Sequence, residues 1–150
     1  MWLDAFLAYL HFTAIFILFA FLSTEVMMLK RALDAAAVRL LGRVDVWYFG
    51  AAIGVLVTGL LRLVFGAKGA DFYVQSWPIY VKIGLFLGVA LVSVKPTLAF
   101  IRWRRQLDHD AAWQVPADEL ARVRRRVMIE LHLAAMIPIF AVIMARGLGH

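Results

Sequence analysis

The chain has 150 residues, 64% of them hydrophobic, with no cysteine, a mean hydropathy of +0.83 and a formal charge of +6. Ordinary globular chains are about half apolar, so this composition excludes a freestanding soluble domain. The missing cysteines exclude disulfides, thiolate metal sites and iron–sulfur clusters.

Four apolar runs, 5–22, 47–65, 79–101 and 127–145, follow one another along the chain. Each is close to the ~20 residues that carry a helix across ~30 Å of hydrocarbon. None shows the apolar–polar alternation or the ~10-residue length of a barrel strand. The sequence therefore predicts an all-α, integral membrane four-helix bundle, a single transmembrane domain over 1–150. Its helices are expected at about 5–28, 47–65, 79–101 and 127–145. The first run follows Asp4 with no Lys or Arg before it, which favours a retained span over a secretory leader. Beyond its apolar part it continues through Glu25 and Met28. A separate amphipathic stretch, 34–41, leads to Gly42. The second helix ends at Gly66, and a connection holding Gly69, Asp71, Tyr73 and Trp77 precedes Pro78. Tyr73, Trp77 and Tyr80 suit an interfacial aromatic belt. The third helix leaves the membrane through Phe100 and Trp103, and 108–119 reads as a solvated turn around Pro116.

The basic residues are distributed unevenly. Lys30, Arg31, Arg39 and Arg43 lie between helices one and two. Arg102, Arg104, Arg105, Arg122, Arg124, Arg125 and Arg126 lie between helices three and four. Only Lys68 and Arg146 flank the opposite ends. The positive-inside rule places both basic loops in the cytoplasm and both termini on the non-cytoplasmic side of a multi-pass membrane protein. The arginine runs are thus read as topology signals touching anionic lipid in the bilayer, not as a nucleic-acid surface. Gly50, Gly54 and Gly59, with Gly84 and Gly88, permit close helix approach and suit a homodimer.

Ionisable residues inside a span are costly, and so carry functional hypotheses. His11 lies roughly 9 Å below the outer edge at 1.5 Å per residue. Arg62, near the end of helix two, and Lys82, near the start of helix three, belong to the same leaflet. Asp4, His11, Leu18 and Glu25 recur every seven residues and share one stripe, which should face the bundle. A ring near two cations suits an anionic guest: haem propionates, a quinone head group or porphyrin carboxylates. The competing reading is a helix–helix hydrogen bond for His11 and snorkelling for Arg62 and Lys82. His132 repeats the L-H pattern of His11 in helix four, but from the opposite edge, so the two imidazoles stand roughly 13 Å apart in depth. One haem bridging both is not expected. Met128 and Met136 share the face of His132 and form a candidate soft-metal set for copper, while Glu130 points elsewhere. Lys95 is expected to snorkel.

Several motifs carry a resemblance: R-V-D from Arg43, G-L-L-R at Gly59–Arg62, F-G-A-K-G-A at Phe65–Ala70, K-I-G-L-F at Lys82–Phe86, and K-P-T-L-A-F at Lys95–Phe100 followed by I-R-W-R-R. On these the chain resembles, over essentially its whole length, a bacterial membrane family catalogued as domain of unknown function 2214. More distantly its layout is similar to the haem-containing membrane protoporphyrinogen oxidases and to copper-resistance D proteins. In the oxidases an early helix-one histidine and a lysine opening helix three are the functional pair, and His11 and Lys82 match those positions. Tyr80 stands where the oxidases commonly have a further histidine, and their Asn-Glu-x-Pro pattern entering the last helix is absent. The resemblance thus implies a haem b pocket more than it implies that substrate. The expectation is a haem b-binding protein with an electron-transfer or oxidoreductase role toward a quinone or tetrapyrrole. His11 would be an axial iron ligand, with Lys82 and Arg62 binding the cofactor and His132 a further candidate ligand. The alternatives are a non-redox transporter or copper-handling protein using Glu25, His132 or Lys95, and a structural assembly partner without ligand.

Overall fold

The computed structural model describes residues 2–66, 71 and 74–148. Lys68, Gly69 and Tyr73, and most of the F-G-A-K-G-A motif, lie outside the described residues. Four long helices follow one another: α1 Trp2–Met28, α2 Ala35–Phe65, α3 Trp77–His109 and α4 Ala117–Ala145. All four are long and apolar enough to cross a membrane, with mean hydropathies of 1.9 to 2.2 over their most apolar stretches. α1 packs along α2 and α3 along α4. The two hairpins meet less extensively, α2 against α3 and α1 against α4, so that α1 and α3, and α2 and α4, stand on the diagonals.

The helices outrun the apolar runs. α2 begins at Ala35 rather than near Trp47, with Asp34 as its N-cap: Oδ1 accepts the Ala37 amide at 2.7 Å. Such a cap satisfies one of the donors a helix start leaves open. No break occurs at Gly42, because Val38, Leu41, Val44, Asp45, Tyr48 and Ala51 recur at helical spacing and all are buried. The amphipathic stretch and the span are one helix. α3 likewise continues past the hydrocarbon edge, burying Trp103 and Leu107, and α4 starts at Ala117, before its arginines.

Packing differs from end to end. The main core gathers Leu18, Leu22, Val26 and Leu29 with Val38, Leu41 and Tyr48, then Ala99, Phe100 and Trp103, then Val123 and Val127. It therefore fills the end of the bundle that carries the arginine-rich connections. Toward the other end little is buried among the described residues: Leu7 in α1, Ser76 and Pro78 at the start of α3 and Met144 in α4, and no residue of α2 beyond Ala51. At the packed end Arg39 pairs with Asp108 at 2.9 Å across the hairpins. Trp103 Nε1 donates to Glu119 Oε1 at 2.9 Å and Arg102 reaches the same oxygen, tying α3 to α4.

Candidate functional site

The predicted stripe on α1 faces inward: Leu18 and Glu25 are buried, and Asp4 and His11 are half-buried. His11 packs on α2. Its Nδ1 lies 2.9 Å from Thr58 Oγ1, and Thr58 Oγ1 itself donates to the Gly54 carbonyl at 2.6 Å. A hydroxyl has one proton to give. Since that proton goes to the backbone, Thr58 accepts from the ring, so Nδ1 carries the hydrogen and Nε2 keeps its lone pair. The Val55 carbonyl is a further hydrogen-bond partner of the ring, and a ligating histidine is ordinarily oriented by such bonds to one of its nitrogens. Glycines make the approach possible. A Cβ at Gly59 would lie 3.3 Å from His11 Cε1, and one at Gly54 would touch Ala14 Cβ at 3.6 Å. At Gly66 a Cβ would collide with the Arg62 carbonyl.

Arg62 and Lys82 are both half-buried and are the charged electrostatic neighbours of His11. The Arg62 guanidinium sits 5.8 Å from the Phe12 ring centroid, a cation–π contact between α2 and α1. Its Nε is buried without a hydrogen-bond partner. A buried charged donor left unpaired is costly, and its natural complement is an anion. Thus α1, α2 and α3 bring His11, Arg62 and Lys82 together in the thinly packed half.

His132 does not join them. It is exposed on the outside of α4, with Nδ1 donating to its own helix at Met128 O, 2.6 Å away. Met136 is exposed beside it. Lys95 is exposed as well.

The sequence reading missed a second polar cluster, inside the packed half. Glu25 from α1, Asp45 and Tyr48 from α2 and Glu130 from α4 are all buried. Thr97 of α3 donates to Asp45 Oδ1 at 3.0 Å, and the Tyr48 hydroxyl donates to Glu130 across the diagonal. Glu25 has Asp45 and Glu130 as its electrostatic neighbours. Glu25 and Glu130 each keep one buried oxygen without a partner. Among the described residues no three such groups are arranged to hold a bare metal ion. Helical spacing held the missing signal: Asp45 and Tyr48 sit on the buried stripe of α2, and Glu130 lies between Val127 and Ala134 on that of α4.

No curated protein and no solved structure matches the chain. Residues 3–149 match the sequence model of the family described as "Predicted membrane protein (DUF2214)", and with nearly the whole chain covered, the protein belongs to that family.

Proposed function

We propose that the thinly packed half binds haem b, with His11 Nε2 as an axial ligand and Arg62 and Lys82 on the propionates. The carrying observation is the buried, unpartnered Arg62 Nε beside a histidine whose other nitrogen is already anchored. The residues fit the group: the ring is oriented by Thr58, two cations stand near it with the Arg62 Nε unpartnered, and few of the described side chains are buried at this end. When bound, haem supplies one-electron chemistry, its potential tuned by ligand identity and burial. The chain's own part is to orient the imidazole, neutralise the carboxylates and keep water out. In this reading the protein is an electron-transfer component or oxidoreductase acting with a quinone or tetrapyrrole. By the positive-inside rule it sits in the cytoplasmic membrane with its termini outside. Gly84 and Gly88, which face open space, would serve a homodimer contact. The test is an absorption spectrum, oxidised and dithionite-reduced, of detergent-purified protein from haem-replete cells. A Soret band that His11→Ala abolishes, and that Arg62→Gln with Lys82→Gln weakens, is the expected result. Colourless wild-type protein overturns the proposal.

A second reading rests on the other cluster. Three buried carboxyls from three helices, with no basic side chain among their interaction partners, suit a path for protons or small cations rather than electrons. It predicts cation or proton flux in reconstituted vesicles that Glu25→Gln or Glu130→Gln stops, and no porphyrin.

A further inference from the structure

A groove of about 580 Å³ opens on the outside of the α3–α4 hairpin, near its arginine-rich end. Lys95 of α3 and Arg122, Arg125 and Arg126 of α4 line one part of it, Leu91 of α3 and Ile129 of α4 another. Arg122 is shared with Asp118, one turn away on the same helix, at 2.6 Å. Among the described residues no hydrogen bond or ion pair engages Lys95, Arg125 or Arg126.

The order of these residues along the two helices is informative. α3 and α4 are antiparallel, yet both grade the same way. Leu91 lies one turn toward the bilayer middle from Lys95, and Ile129 lies one turn toward it from Arg125 and Arg126. At 1.5 Å per residue that separates the aliphatic floor from the cations by roughly 6 Å. A free anion would satisfy the cations and leave the aliphatic part uncovered. A neutral lipid would do the reverse. An acidic phospholipid covers both, with its phosphate among the guanidinium groups and the start of its acyl chains on Leu91 and Ile129. Guanidinium forks match phosphate oxygens bidentately, and basic pockets between spanning helices suit acidic head groups.

We infer that this groove is a built binding site for an acidic phospholipid, distinct from the general basic character of the connections. The full-length protein in detergent is titrated with phosphatidylglycerol, phosphatidylcholine or inorganic phosphate. Bound lipid is counted by native mass spectrometry, and the unfolding midpoint is followed in parallel. Wild type is expected to retain phosphatidylglycerol and to unfold at a higher temperature with it. The combined Lys95→Gln, Arg125→Gln and Arg126→Gln variant should bind it at least about tenfold more weakly. Arg104→Gln with Arg105→Gln, which changes exposed arginines away from the groove, should bind as wild type does. Leu91→Trp, which keeps every cation but fills the aliphatic part, should also weaken binding, and it decides the matter if the triple variant does not fold. Equal stabilisation by inorganic phosphate, equal retention of phosphatidylcholine, or unchanged phosphatidylglycerol binding by Leu91→Trp would each overturn the inference.

Discussion

The two halves of the bundle are built on opposite plans. At the arginine-rich end the helices interlock around Trp103, Phe100, Leu22 and Leu41, and the polar groups inside are acids tied to a tyrosine and a threonine. At the other end few of the described side chains are buried, and the polar groups there include a histidine, two cations and Asp4, with the Arg62 Nε buried and unpaired. The difference teaches where the packing is concentrated and where the proposed ligand has room. One half holds the fold, and the other has little of its own to hold.

The sharpest way to break that comparison is to cut into the packed half. Trp103→Ala removes a fully buried indole and its hydrogen bond to Glu119, and should cost about 3 kcal/mol of stability, read as a large drop in unfolding midpoint in detergent. Leu56→Ala, on the thin half and exposed, should barely move it. If both variants melt alike, the division into a structural and a receptive half fails. Next in size, Thr58→Val removes the acceptor for His11 Nδ1. Loss of such an outer partner usually weakens metal binding 10–100-fold, so haem retention should fall by about tenfold while the apoprotein melts nearly as before. A smaller effect of opposite sign is expected at Glu25. Glu25→Gln keeps the shape and removes one of three neighbouring acids, so the midpoint should rise by about 1 kcal/mol equivalent. A fall would mean that a cation is held there. The smallest effect belongs to Arg122→Gln, whose exposed pair with Asp118 is worth less than about 0.5 kcal/mol; thermal unfolding in detergent without added lipid should show almost no change.

Much of this was legible beforehand, because hydrocarbon imposes a length and an apolar content that four runs satisfy plainly. The inward stripe of Asp4, His11, Leu18 and Glu25 followed from spacing alone. What composition could not reveal was where each helix begins. Val38 to Tyr48 is too polar to be read as a span, yet its buried side recurs at helical spacing and carries the helix through Gly42. The acidic cluster was hidden for a related reason. Asp45 and Glu130 are acids isolated among apolar neighbours, their partners are set by diagonal packing, and no local pattern states that Tyr48 of α2 reaches Glu130 of α4. His11 and Thr58, also far apart in sequence, meet because Gly54 and Gly59 bring α1 close to α2.

Three side-chain bonds between described residues, Arg39 to Asp108, Thr97 to Asp45 and Tyr48 to Glu130, cross from one hairpin to the other at the arginine-rich end. The bond made by His11 stays within its own hairpin. Mechanically the molecule is a clothes-peg, riveted at one end with its jaws at the other. On the proposed reading, a guest arriving from the bilayer would part those jaws and leave the rivets intact.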